Sequence, residues 1–225
     1  MYFCQKLIKM KKIILSMLTL STMAFISCGD KEAETKEEVK GTENVEVAKI
    51  SGTYNVAEAS VVTWNARHYK DTEHAHTGTV AISAGSIVVE EEVIVGGNFE
   101  FDMTQIIEPG TDTTQPWTLE GHLTMPDFFN TSAFTSSTFS VSSFVDGVVT
   151  GTLEVIGVSR EISFPAEAVV TEEAVTIAAE FELNLLQFEL PSLMAGDTLP
   201  EVEKLESANP TVTFQLDLSA SKAAH

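Results

Sequence analysis

The residues best equipped for chemistry crowd into one stretch, HYKDTEHAHTG (His68–Gly78), which holds three of the chain's five histidines. His74 and His76 are two positions apart, so an extended backbone points them to the same side, and His68 faces them across the hairpin that this stretch predicts. Three converging imidazoles are the protein ligands of some catalytic zinc sites. Either His68 or His76 alone would serve as a general acid or base, given a second group to orient its ring and a pocket to position a substrate. Neither partner is visible in the sequence. No cysteine is free to complete a metal site, no carboxylate stands at clear ligand spacing, and no G-x-S-x-G motif occurs. KDTEHA (Lys70–Ala75) reads as a solvated loop. The third reading is a polar rim at the mouth of a container, with His76 hydrogen-bonded near its edge, and the surrounding elements favour it. No catalytic residue and no metal ligand is assigned; the expectation is a binding protein and not an enzyme.

Those surrounding elements are extended. From about Ile50 to Ser219 the dominant pattern has period two. In AVTIAAEFEL, Val175, Ile177, Ala179, Phe181 and Leu183 share one face, with Thr176, Ala178, Glu180 and Glu182 on the other. GNFEFDM sets Phe99, Phe101 and Met103 against Glu100 and Asp102, and TVTFQLDL sets Val212, Phe214, Leu216 and Leu218 against Thr211, Thr213, Gln215 and Asp217. Strands are predicted over 52–58, 60–69, 76–83, 86–95, 98–106, 137–145, 147–157, 159–171, 174–184 and 209–219, with turns at Ala84-Gly85 and Asp146-Gly147. Many short antiparallel strands with one dry face indicate a sandwich or a closed barrel, and closure removes exposed edges. Helical spacing shows only in Gln115–Asn130, where Trp117, Leu119, Leu123 and Phe128 mark a short helix broken at Pro126. The acids Glu90–Glu92 read as solvation of the outer face.

Ahead of the strands, Lys6, Lys9, Lys11 and Lys12 precede the apolar run Ile13–Ile26, which is short for a bilayer span and has the layout of a secretory signal. Met10 is an alternative start to Met1. The run ends in FISC, which resembles the bacterial lipobox: cleavage falls before Cys28 and the thiol receives a diacylglycerol, with Phe25 standing where leucine is usual. Ordinary signal cleavage, leaving Cys28 a plain thiol, is the competing reading. The expected organisation is a signal peptide over residues 1–27, a lipidated cysteine and acidic tether over 28–49, and one domain over 50–220. Cys4 leaves with the signal, so the mature chain has no disulfide. The tether's seven acids and four lysines, without an aromatic residue, bury too little to offset chain entropy. Removing four lysines from a chain of net charge −20 leaves 9 Lys+Arg against 33 Asp+Glu, or −24. That excludes nucleic acid and anionic lipid headgroups as partners of the protein surface. Membrane contact is expected through the anchor alone, in a bacterial cell envelope, on its periplasmic side or outer surface.

Four stretches, in order, carry a resemblance to one family. WNARHYKDTEHAHTGTV is similar to an early hairpin in which a Trp strand (Trp64) leads to a His-x-Gly (His76, Gly78). GNFEFDMTQI resembles a G-x-F-x-(I/F)-D-M strand, and LEGHLTMPDFFNTSAFTSSTF an H-L-x-x-x-D-F-F segment before a T-F strand. GTLEVIGVSREISFP resembles a G-x-L-x-I-x-G-V-(T/S)-(K/R)-x-I-x-F-P hairpin. The family is that of the YceI-like, polyisoprenoid-binding proteins. Two positions depart from its pattern: Leu185 stands where a late strand usually has arginine, and Thr135 where proline usually precedes the T-F strand.

The resemblance implies an all-β, antiparallel, lipocalin-like barrel of eight strands with a short helical segment. It also implies an elongated apolar cavity for an isoprenoid or quinone-like lipid, with no other cofactor, and homodimers among the relatives. Trp64, His68, His76 and His122 are then expected near a head group, and Phe99, Phe101, Met103, Leu123, Phe128, Phe129, Phe139 and Phe181 along a tail. Period two alone leaves a rival open, because eight strands enclose room for side chains or for one slim ligand. That rival is a structural or partner-binding lipoprotein whose barrel is filled by its own side chains. For His122 the competing expectation is a bond to a backbone carbonyl that anchors the helical segment.

Overall fold

The computed structural model describes residues 49–69, 75–111, 118–200, 203 and 207–224. The expected signal peptide, Cys28, the tether up to residue 48, His74 and Trp117 lie outside the described residues.

Wherever apolar and polar residues alternate, a strand forms. The strands are β1 (Gly52–Val56), β2 (Val61–Arg67), β3 (Ala75–Glu90), β4 (Val93–Ile107), β5 (Ser136–Val145), β6 (Val148–Val155), β7 (Val158–Pro165), β8 (Glu167–Val170), β9 (Ala174–Asn184) and β10 (Thr211–Lys222). Among the described residues the helices α1 (Leu119–Leu123) and α2 (Pro191–Asp197) and a 3-10 turn at Leu185–Phe188 interrupt them. All ladders are antiparallel and run β7-β6-β5-β4-β3-β1-β10-β9-β8, with β2 beside β1 between β3 and β10. β1 and β2 are thus two lengths of one strand, parted where Ala59 takes a left-handed φ of 61°. Across the break Ala57 N donates to Ser219 O and Ile82 N to Ser60 O, so both neighbours stay attached. β7 and β8 are likewise two lengths joined by Ala166, the first paired with β6 and the second with β9. The ten named strands therefore act as eight, and the path of ladders begins on β7 and ends on β8, the two lengths of one strand, as a lipocalin-like barrel requires. Between β7 and β9 themselves no ladder runs among the described residues. There the rings of Phe164 and Phe181 stack, with centroids 4.1 Å apart.

Several expected boundaries move, each for a physical reason. Ala84-Gly85 is not a turn but lies inside β3; the chain reverses at Glu91-Glu92, whose φ values of 50° and 71° are both left-handed. A methyl on Gly85 would lie 2.5 Å from Val56 Cγ2 and 3.0 Å from the Phe99 ring, so this glycine marks a close approach and not a reversal. The acidic turn is fixed from outside, by a 2.6 Å Lys49–Glu91 ion pair and by Glu92 N donating to Ile50 O. Asp146-Gly147 does turn as expected, with φ of 51° and 75°, the geometry that matches strand twist. The strand predicted over 159–171 divides at Ala166, whose N–H donates to Gly147 O at the hairpin turn and not to a strand partner. The helix expected over 115–130 shrinks to α1: Thr118 Oγ1 accepts from Gly121 N at its start, and it ends at Thr124, two residues before Pro126. β10 continues to Lys222, which pairs with Tyr54. α2 and the 3-10 turn escape period-based reading because each is too short to show a period.

The two ends of the barrel differ. Around the Glu91-Glu92 and Asp146-Gly147 turns, Tyr54, Ile87, Val89, Val175, Leu218 and Ala220 are fully or almost fully buried and the interior is solid but for one small void. The other end is covered by α1, the turns that follow it, the 3-10 turn and α2.

Candidate ligand cavity

The sequence motifs become wall-building devices. Trp64 sits opposite Gly78 on β3 and Phe214 on β10. A methyl on Gly78 would run into the Trp64 indole and the Ile107 carbonyl, so the glycine of the His-x-Gly is what lets the indole lie across β3. In GNFEFDM, Phe99, Phe101 and Met103 alternate inward. Register with β3 then jumps, from Val80 opposite Ile106 to Ala81 opposite Asp102, leaving Met103–Gln105 as a bulge. Asp102 Oδ1 accepts from Thr104 N at 2.9 Å and Met103 N donates to Thr135 O at 2.9 Å, which together hold the bulge open. A methyl on Gly151 would lie 2.6 Å from the Phe139 ring, so that ring too is admitted by a glycine.

These walls enclose a cavity of about 470 Å³, within the usual range for small-molecule sites. At its mouth stand Arg67, His68, His76, Leu119, His122 and Asn209. Below them come Trp64, Met103, Leu123, Phe128, Phe129, Leu185 and Leu193, then Phe99, Phe101, Phe139, Leu153, Ile162, Phe164, Phe181, Phe214 and Leu216. A second void of about 30 Å³ lies beyond, lined by Ile87, Ile94, Val149 and Ile177 among others, and it shares Phe99, Phe164 and Leu216 with the first.

The mouth is polar and tied together. His76 Nδ1 donates to Glu108 Oε1 at 2.7 Å, since a carboxylate oxygen accepts. Glu108 also accepts from Thr111 Oγ1 at 3.2 Å, and its own N–H donates to Glu120 Oε1 of α1 at 2.6 Å. The ring centroids of His68 and His76 are 6.2 Å apart, and no group of three potential metal ligands occurs among the described residues. Asp127 links the two covering helices: it accepts from Ser192 Oγ at 3.0 Å, its backbone carbonyl accepts from Ser192 N at 2.7 Å, and His122 Nε2 lies 3.4 Å from its carboxylate. The Ser192 hydroxyl is the main cause holding the Asp127 carboxyl below its ordinary value; desolvation opposes this, and its own backbone N–H and His122 reinforce it. Deeper in, the Trp64 indole N–H is buried without a partner among the described residues.

A family model for the YceI-like domain matches residues 54–220. The chain belongs to the YceI-like family. A polyisoprenoid binding domain from Saccharophagus degradans, implicated in plant cell wall breakdown, superposes with a TM-score of 0.56 at 15% identity, covering 76% of this chain and 98% of its own. BcnA from Burkholderia cenocepacia gives 0.55 at 14%, covering 72% of this chain and 96% of its own. At such identities the likeness is one of fold. No curated protein matches the sequence.

In this YceI-like chain the cavity wall holds every contact residue expected from the sequence: Trp64, His68, His76, Phe99, Phe101, Met103, His122, Leu123, Phe128, Phe129, Phe139 and Phe181. His122 meets a carboxylate and the edge of Phe128, at a centroid distance of 5.8 Å, and not the backbone carbonyl of the competing expectation. His76 has an orienting partner, Glu108, which the β3–β4 register brings to it although sequence spacing hides it. The strand expected over 174–184 ends where expected: β9 stops at Asn184, and Leu185 opens the 3-10 turn with its side chain buried in the wall. Phe164, Phe214 and Leu153 were missed as wall residues, although the alternation in EISFP, TVTFQ and GTLEV already carries them. Thr135 contributes its carbonyl to the bulge, which the family's proline would supply equally.

Proposed function

We propose that this protein is a bacterial envelope lipoprotein that binds one polyisoprenoid or isoprenoid-quinone-like lipid in its barrel, and sequesters or carries it without chemical change. The single observation that carries the reading is the cavity of about 470 Å³ walled by aromatic and aliphatic side chains. Each methylene transferred from water into such a wall contributes up to about 0.8 kcal/mol, and the costs of association and ordering remove part of the sum. The likeness in fold to a polyisoprenoid binding domain supports an isoprenoid tail. Leucine at 185 stands where the family pattern carries a cation, which favours a neutral head group. Lipidated Cys28 would keep the barrel at the membrane that supplies its ligand. The rival, a barrel filled by its own side chains, describes the solid end and leaves the cavity unexplained.

The test is native mass spectrometry of the chain purified from membranes of a bacterial host, before and after solvent extraction. One lipid per chain is expected, with the extracted protein regaining thermal stability on adding a prenyl alcohol, by about 2.7 kcal/mol at a hundredfold excess over Kd. A chain that is empty from the outset, and whose melting ignores prenyl alcohols, would remove the reading. Replacing Cys28 with alanine should move the protein into the soluble fraction.

A further inference from the structure

The cavity does not run the length of the barrel. Along each strand that lines both voids, the residues facing the large one lie toward α1 and those facing the small one toward the Glu91-Glu92 turn. On β9 the succession is Phe181 then Ile177; on β6 it is Leu153 then Val149. What separates the voids is a layer of rings. Phe139, Phe164, Phe181 and Phe214 follow one another at centroid separations of 5.8, 4.1 and 5.7 Å, and Phe99 lies 6.5 Å from Phe139. Three residues, Phe99, Phe164 and Leu216, face both voids, so they are the partition itself.

We infer that this aromatic layer is a chain-length stop, with Phe164 as its central residue, and that it selects lipids by how much tail fits above it. The inference rests on the binding reading and adds the size class of the ligand. A volume of about 470 Å³ holds roughly 15 non-hydrogen atoms at about 30 Å³ each, the share of a water molecule in its liquid and close to that of a methylene. That is about three isoprene units. A longer tail must leave its excess at the mouth, where it stays in water and contributes little. Phe164 is well placed to act as the stop because its strand, β7, has no ladder to β9 at this height. The ladder to β6, where Phe164 lies opposite Val149, holds one side of the strand, and toward β9 only ring packing against Phe181 holds it among the described residues.

The experiment measures affinities of geraniol, farnesol and geranylgeraniol for the delipidated full chain, by displacement of an environment-sensitive fluorophore. In the native sequence, affinity should rise at least about tenfold from two units to three and then by less than about threefold to four. In Phe164→Ala the two voids join, and the step from three units to four should become about tenfold. Adding Val149→Leu, which refills the lower void, should bring the plateau back to three. Phe164→Leu, which keeps an apolar side chain on β7, carries the same test with a smaller shift if the alanine variant does not fold. Affinity still climbing steeply from three to four units in the native sequence would overturn the stop. So would an unmoved plateau in a folded Phe164 variant. Failure of the native chain to bind any of the three alcohols is a different result, since it overturns the binding reading beneath.

Discussion

The solid and hollow ends of the barrel are made from the same alternation of apolar and polar residues, yet one is filled and the other is not. Residue size does not explain the difference, because the hollow end has the larger side chains. Its wall carries Trp64, Phe99, Phe101, Phe139, Phe181 and Phe214, whereas the solid end is closed by Ile87, Val89, Val175 and Ala220 around Tyr54. The ladders explain it. At the hollow end β4 bulges away from β3 at Met103–Gln105, and β7 stands without a ladder to β9. At the solid end β8 pairs with β9 and β1 pairs with both β3 and β10. Capacity for a ligand comes from where strands part, and the large rings line a space that the backbone has already widened.

That comparison is tested most severely by equal truncations at the two ends. Ile87, 1% exposed, borders only the void of about 30 Å³ and is otherwise packed, so Ile87→Ala should cost about 2–5 kcal/mol. Ile162, 9% exposed, faces the cavity on one side and has fewer neighbours to lose. Ile162→Ala should cost below about 2 kcal/mol. Denaturant unfolding of the delipidated protein measures both. Equal costs would mean that the hollow end is as closely packed as the other, and the contrast would fall.

A second pair sharpens the account of how the wall is admitted. Gly78→Ala drives a methyl into the Trp64 indole and the Ile107 carbonyl, neither of which is a flexible side-chain tip. A loss of about 1–3 kcal/mol or more is expected. Trp64→Phe goes the other way. It discards a buried N–H that has no acceptor among the described residues, a group whose burial costs about 1–3 kcal/mol, and so offsets the lost ring area. Its net effect should stay within about 1 kcal/mol, and a loss as large as that of Gly78→Ala would show the N–H to be satisfied in solution.

These pairs also mark what a sequence reader can and cannot see. Strand faces are legible because side-chain direction follows from position alone, and that suffices to send Phe99, Phe101, Met103 and Phe181 to the wall. Reversals are legible when they use Asp146-Gly147, whose types suit left-handed backbone. They are hidden when Glu91-Glu92 adopts the same geometry under external restraint from Lys49 and Ile50. Gly85 misleads for the converse reason, since its missing side chain serves Phe99 and Val56. The His76–Glu108 pair and the bulge beside it depend on register between strands, a quantity that no single segment contains. So does the aromatic partition, whose members come from β4, β5, β7, β9 and β10.

The smallest effect expected concerns the cover of the hollow end. Asp127 joins the turns after α1 to α2 through the hydroxyl and backbone N–H of Ser192, and that hydroxyl is the chief reason its carboxyl is held below the ordinary value. A group whose folded value is lowered stabilises the fold above its unfolded value, and the contribution fades as pH falls through the folded one. Asp127→Asn should therefore melt slightly below the native chain at neutral pH. The gap should shrink from about pH 4 downward, as the native carboxylate takes up its proton and loses the charge that Ser192 and His122 favour. Reading the difference between the two proteins, and not either alone, cancels the many other acids that titrate in the same range. The carboxylate is half exposed, so water screens the interaction and the shift should be a small one. A gap that widened in acid would mean that the protonated carboxyl holds the two covering helices together better than the charged one, and would reverse the sign assigned to the link.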